Sequence, residues 1–182
     1  MDLHNRLVLL TGARRIGAAV AKAVAARGAD VAIAYRRSKS EADETAAAVQ
    51  AAGRRALIVQ ADVSDPAACQ SLIDAVDREF KRLDVLVNMA SVYKSVPVDS
   101  LNPAVWREHL GVDLDGTFFC STAALPLMRR TGGGRIINFS DWLPTSGRPR
   151  YKGYATYYVA KAGVKALTEA LALELAGDGI LV

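Results

Sequence analysis

Cysteine, histidine and aromatic residues are all scarce in this chain. Of 182 residues only two are cysteine and two are histidine, and aromatic residues make up 7%. Cys69 and Cys120 lie far apart with no Cys-x-x-Cys spacing. They suit reduced thiols, Cys120 in a packed helix, better than a disulfide scaffold or a metal site. His4 and His109 stand alone, so no metal is expected. No stretch approaches the roughly 20 apolar residues that cross a bilayer, which argues against a membrane partner. Met1-Asp2-Leu3-His4-Asn5 lacks the charged-then-apolar layout of a secretory signal, making the cytoplasm the expected compartment.

Charge of one sign is not lacking. The formal net charge is +4, with basic pairs at Arg14-Arg15, Arg36-Arg37, Arg54-Arg55 and Arg129-Arg130. These pairs are spread along the chain and no aromatic residues alternate with them, so a nucleic-acid partner is not expected. Arg54-Arg55 and Arg129-Arg130 read as solvated helix ends or loops.

With 51% hydrophobic and 23% charged residues, the chain has the composition of one globular domain, residues 1–182. Apolar runs alternate regularly with helical patterns. Arg6–Thr11, Asp30–Tyr35, Ala56–Ala61, Asp84–Asn88 and Arg135–Ser140 read as strands. Ile16–Arg27, Ser40–Ala52, Pro66–Arg82, Pro103 to about Met128, and Ala155–Ala176 read as helices. Gly28 and Gly53 mark helix ends, and Ser64-Asp65-Pro66 is a cap followed by proline in the first turn. A polar, proline-containing loop joins Ser140 to about Gly153. Five strands separated by crossover helices imply right-handed βαβ units. The expected fold is α/β, a Rossmann-type doubly wound parallel sheet with strands 1–5 complete. Gly179-Ile180-Leu181-Val182 reads as a sixth strand cut off soon after it begins, leaving strand 5 as an exposed edge.

Strand 1 runs through Thr11-Gly12-Ala13-Arg14-Arg15-Ile16-Gly17 into the first helix. A doubly wound sheet holds a dinucleotide at this point, where glycines admit the pyrophosphate and the helix amino terminus stabilises its charge. The carboxylate that would grip a ribose 2′-hydroxyl after strand 2 is absent. Tyr35-Arg36-Arg37-Ser38 stands there instead, suiting the 2′-phosphate of NADP(H); the alternative is a solvated loop. Asp62 either meets the adenine amino group or caps the next turn. Tyr157 and Lys161 are four apart on one helix face, so an ammonium adjoins a phenol and should lower its pKa.

In order, the glycine turn after Thr11, Asp62-Val63, Asn88-Met89-Ala90-Ser91, Ile136-Ile137-Asn138, and Tyr157 with Lys161 resemble the short-chain dehydrogenase/reductase family over essentially the whole chain. Arg15, the Asn88-x-Ala90-Ser91 run and Ser140-Asp141-Trp142 are similar to pteridine reductases and their bacterial relatives. In those enzymes an aspartate takes the place of the family's catalytic serine, and Asp141 falls there. The resemblance implies an NADPH-dependent oxidoreductase that reduces a carbonyl or imine, a pterin-like substrate included. Tyr157 would donate the proton, Lys161 would lower its pKa and bind the nicotinamide ribose, and Asp141 would orient or help protonate the substrate. Asn88, Ala90 and Ser91 would line the cofactor channel with Gly12, Arg14, Arg15, Ile16, Gly17, Asp62 and Val63. The helices 103–128 and 155–176 would join subunits of a homo-oligomer.

The sequence departs from the family at several points. The glycine turn is one residue shorter than Thr-Gly-x-x-x-Gly-x-Gly, with Arg15 at its middle glycine. Asp113 replaces a helix asparagine that supports a water-mediated proton relay to the lysine, and its charge should raise the Tyr157 pKa. The loop from Asp141 to Tyr157 is about three residues longer. The family's segments beyond the sixth strand are missing, so an inactive fragment or a cofactor-binding pseudoenzyme is the alternative reading.

Overall fold

The structure, a computed structural model, describes residues 2–146 and 151–182; residues 147–150 of the loop after strand 5 lie outside it. The elements are β1 (Leu7–Thr11), α1 (Ile16–Ala25), β2 (Asp30–Tyr35), α2 (Lys39–Ala51), β3 (Ala56–Gln60), α3 (Pro66–Phe80), β4 (Val85–Asn88), α4 (Pro103–Leu110), α5 (Gly116–Arg130), β5 (Gly134–Asn138), α6 (Ala155–Leu175) and β6 (Ile180–Leu181). The strands form one sheet in the order β3-β2-β1-β4-β5-β6, with every pair parallel. This is the expected doubly wound arrangement. Strand order reverses between β1 and β4, and the loops leaving those two strands part there to form a crevice.

Alternation along the strands divides the core into two layers. Leu9, Leu86 and Ile136 face α3 and α5, packing with Leu72, Val76, Ala124 and Leu127. Val8, Leu10, Ile33 and Val87 face α1 and α2, where Ala21, Ala25, Ala42 and Val49 meet them. The small residues of α1 recur four apart (Gly17, Ala21, Ala25) and bring that helix close to the sheet. Local signals start the later helices: Asp65 accepts from Ala67 N ahead of Pro66, and Asn102 accepts from Ala104 N and Val105 N ahead of Pro103.

At the opposite edge from the crevice, Asp84 joins the start of β4 to that of β1. Its carboxylate accepts from Leu7 N at 2.8 Å and Arg6 Nη1 at 2.9 Å, and from Arg82 Nε at 2.7 Å. Burial opposes its charge, but these hydrogen bonds hold its pKa below the usual carboxylate value. Arg54, Arg55, Arg129 and Arg130 are each paired with an acid: Asp30, Glu79, Asp178 and Asp77 respectively. They link elements rather than being merely solvated.

Two expectations need correction. The helix from Pro103 is not one α-helix to Met128. A π-helical segment, Gly111–Asp115, interrupts it, and α5 continues to Arg130. Strand 5 is an edge over only part of its length, because Gly134 and Arg135 pair with Ile180 and Leu181 of β6 while residues 136–138 have no strand beside them on that side among the described residues. Apolar surface is nonetheless uncovered on one face. Ile137 lies in register with Val87, on the α1 and α2 side, and is 47% exposed. Among the described residues no helix is long and apolar enough to cross a membrane.

Candidate active site

The carboxyl ends of β1, β4 and β5 open on a cleft of about 660 Å³. Thr11 sets the spacing at its base. Its hydroxyl oxygen accepts from Met89 N at 2.9 Å and Ala90 N at 3.2 Å, pinning the loop after β4 to the end of β1. The glycine turn then crosses the crevice. Gly12 has φ +132°, and a Cβ on Gly17 would stand 2.1 Å from the Gly12 carbonyl oxygen, so neither position accepts a side chain. Arg15 ends the turn at φ 47°, ψ −102°, immediately before α1. That conformation is unfavourable for a residue with a Cβ. No acidic residue occupies the first turn of α1, leaving its positive end for an anion.

Across the sheet, Arg36 and Ser38 line the far end of the cleft. Arg36 Nε is 2.7 Å from Asp62 Oδ2, and Asp62 Oδ1 accepts from the Ser64 hydroxyl and amide. Asp62 thus performs the turn-capping role while facing the cleft. Partial burial opposes its charge, but the Ser64 hydrogen bonds and the Arg36 and Arg37 charges lower its pKa.

At the other end, α6 presents Tyr157 and Lys161, which are 7% and 3% exposed. Tyr157 OH donates to Asp141 Oδ2 at 2.9 Å, and Asp141 Oδ1 accepts from Leu143 N at 2.9 Å. The longer loop therefore does not keep Asp141 from Tyr157. Lys161 Nζ donates to the Phe139 carbonyl at 2.8 Å and lies 3.1 Å from Asp113 Oδ1. The π-helical segment turns Asp113 inward, where it also accepts from Ser91 Oγ at 2.5 Å and Val92 N at 2.8 Å. The ring of Tyr93 stacks on Tyr154 with centroids 4.9 Å apart and meets Tyr157 edge-on at 5.0 Å.

The Tyr157 pKa is raised, not lowered as the Tyr157–Lys161 spacing implied. Burial is the main cause, followed by the hydrogen bond to Asp141 and the negative charges of Asp141 and Asp113. A carboxylate that accepts a hydrogen bond from the phenol favours its neutral form.

The cleft brings together Gly12, Arg14, Arg15, Ile16, Gly17, Tyr35, Arg36, Ser38, Asp62, Val63, Ala90, Ser91, Asp141, Tyr157 and Lys161, all expected from sequence. Three expected residues stand elsewhere. Asn88 is buried beneath the cleft, donating to Ser121 Oγ and Asn138 Oδ1, because the last residue of a central strand turns into the packed layer. Arg37 is exposed outside the lining and reaches the site only through its charge on Asp62. Asp113 is fully buried and acts through Lys161. Sequence reasoning missed Thr11, Tyr93 and the Phe139 carbonyl. Thr11 preceded a recognisable turn, but nothing near Tyr93 distinguished it. Among the described residues no group of three or more histidine, cysteine or acidic side chains could hold a metal.

The model of the short chain dehydrogenase family matches residues 6–182. The chain is 37% identical over 181 residues to a 3-oxoacyl-[acyl-carrier-protein] reductase of Synechocystis, covering 99% of this chain and 72% of that protein. It is 39% identical to a cis-4-hydroxycyclohexanecarboxylate dehydrogenase of Sinomonas cyclohexanicum, covering 98% of this chain and 70% of that one. A short chain dehydrogenase from Burkholderia cenocepacia, solved in complex with NADP, superposes with a TM-score of 0.93 at 36% identity, covering 100% of this chain and 73% of that one. The chain belongs to the short-chain dehydrogenase family of oxidoreductases.

Proposed function

We propose that this chain is an NADPH-dependent reductase of a carbonyl or imine group, with Tyr157 as the acid at the substrate heteroatom. The hydrogen bond from Tyr157 OH to Asp141, at the end of a cleft that begins at a glycine turn, carries the reading. The residues present fit a phosphorylated dinucleotide. The Gly12–Gly17 turn and the start of α1 would hold the pyrophosphate, and Arg36 with Ser38 the 2′-phosphate. Tyr157 and Lys161 would meet the nicotinamide ribose. The nicotinamide, when bound, supplies a hydride; the protein supplies orientation and the proton.

Asp141 fixes the direction of the Tyr157 hydroxyl and keeps the phenol protonated, as a proton donor requires. Asp141 also offers a planar carboxylate to an N–H group, so a pterin-like ring is among the substrates this reading includes. The NADP-bound relative supports the cofactor, and the reductase relative supports the reaction type. On this reading residues 1–182 act as one nucleotide-binding unit. Exposed Trp106, Phe118, Val159 and Leu173 on α4, α5 and α6 support a homo-oligomer joined through those helices.

The test is loss of NADPH absorbance with a panel of ketones and imines. Ketone turnover should vanish in Tyr157→Phe while NADPH affinity stays within about twofold. Undiminished ketone turnover in that variant would remove Tyr157 from the chemistry. The Asp113 carboxylate 3.1 Å from Lys161, which offsets the ammonium expected to assist Tyr157, favours one second reading, a protein that binds the cofactor without turnover. Wild-type protein that binds NADPH yet consumes it with no substrate in the panel would establish that reading instead.

A further inference from the structure

The charges at the reacting end of the cleft favour a cationic group over a neutral ketone. Lys161 contributes one positive charge, but Asp113 lies 3.1 Å from it and both side chains are buried. That pair is neutral as a unit. Asp141 then adds a negative charge, and among the described residues no cation forms an ion pair with it. The basic residues lining the cleft are distant. Arg14 and Arg15 follow β1, two strand spacings or about 10 Å from β5, and Arg36 follows β2, about 14 Å away. A ketone gains negative charge on oxygen as hydride arrives, which a carboxylate disfavours. A group that begins as a cation gains from the same carboxylate.

The aromatic residues point the same way. Tyr93 lines the cleft and is 63% exposed; its ring stacks on Tyr154 and stands roughly perpendicular to that of Tyr157, with centroids 5.0 Å apart. It thus places a π-system in the same cleft as the Asp141 carboxylate. Planar cations are held in such surroundings.

We propose that the substrate binds as a cation at its reacting centre, a planar protonated C=N group held between the Asp141 carboxylate and the Tyr93 ring. This rests on the reductase reading and narrows its substrate class. A protonated C=N group needs no further proton when it accepts a hydride, because the C=N π pair becomes the nitrogen lone pair. For such a substrate Tyr157 serves as a hydrogen-bonding group, its work as the acid being confined to neutral carbonyl and imine groups. Asp113 is a positioning residue in this scheme. It cancels the Lys161 charge without touching the substrate.

The test is calorimetric titration of the 182-residue chain with benzamidinium and with benzamide, a planar cation and its neutral counterpart, with and without NADPH. Benzamidinium should bind about tenfold tighter or more. Asp141→Asn should abolish the difference; it retains an oxygen for the Leu143 amide, and circular dichroism checks the fold. Asp113→Asn should weaken benzamidinium several-fold and leave benzamide unchanged. Equal wild-type affinities, or a cation preference that survives Asp141→Asn, would overturn the proposal. Failure of NADPH to bind would count against the reductase reading alone, since the titrations without cofactor still decide this one.

Discussion

Asp113 Oδ1 and Lys161 Nζ stand 3.1 Å apart, with side chains 0% and 4% exposed. An ammonium beside a tyrosine ordinarily draws out its proton, but here the ammonium is matched by a carboxylate and the tyrosine is hydrogen-bonded to another. Lys161 lies 5.6 Å from the centre of the Tyr157 ring, close enough for its effective charge to matter. The groups facing Tyr157 come from four segments: Tyr93 after β4, Asp113 in the π-helical segment, Asp141 after β5, and Tyr154 and Lys161 on its own helix.

Asp113→Asn should therefore lower the Tyr157 pKa. The neutral phenol is the active form of a proton donor, so in wild-type protein Tyr157 should cause no loss of ketone reduction below about pH 10. In the variant the alkaline loss should begin at lower pH. Carbon-13 labelling at tyrosine Cζ, with Tyr157→Phe for assignment, reads the ionisation without turnover. Reduced activity at every pH with an unmoved Tyr157 titration would mean that Asp113 only supports the structure.

Arg15 is held at φ 47°, ψ −102° where glycine would be unstrained. Arg15→Gly should stabilise the fold by about 1 kcal/mol, raising Tm by roughly 2–4 °C. It should also weaken NADPH binding, because Arg15 lines the cleft and carries a positive charge. Differential scanning calorimetry with and without NADPH measures both effects. A lower Tm in the free protein would show that the arginine side chain stabilises this turn by more than its backbone costs.

The Asp84 carboxylate bonded to Arg6, Leu7 and Arg82 should be a main source of acid sensitivity. Its pKa is lower in the folded chain than in the unfolded one, so its stabilisation is present above about pH 4 and lost as pH falls through the folded value. Asp84→Asn should cost about 2 kcal/mol at neutral pH and progressively less in acid. Urea unfolding at several pH values checks this. An equal cost at all pH values would mean that charge plays no part.

Most of the scaffold was legible because its signals are local. Strand runs, glycine ends and the Asp65-Pro66 and Asn102-Pro103 caps each act within a few residues. The Tyr157–Lys161 pair was legible for the same reason, being one helical turn. What escaped depends on distant partners. The i→i+5 turn that carries Asp113 inward was not legible, although the resemblance placed Asp113 toward Lys161, 48 positions later. The resemblance implies that Asn88 lines the cofactor channel, whereas its partners Ser121 and Asn138 come from α5 and β5. The short β6 looked too brief to cover an edge, yet two residues suffice to pair with the start of β5. Cys69 and Cys120 illustrate the same limit. Their sulfurs lie 3.4 Å apart in the core although 51 positions separate them, which sequence spacing could not reveal.

The central claim, a cleft built for NADPH, is tested most directly by calorimetric titration of wild-type protein and Arg36→Ala with NADPH and with NADH. Arg36 lines the cleft and Arg37 does not, so Arg36 is the residue to change. Wild-type protein should bind NADPH at micromolar concentration and NADH more weakly, and the variant should lose about tenfold or more for NADPH alone. Equal losses for both cofactors, or no binding of either by folded wild-type protein, would contradict that claim.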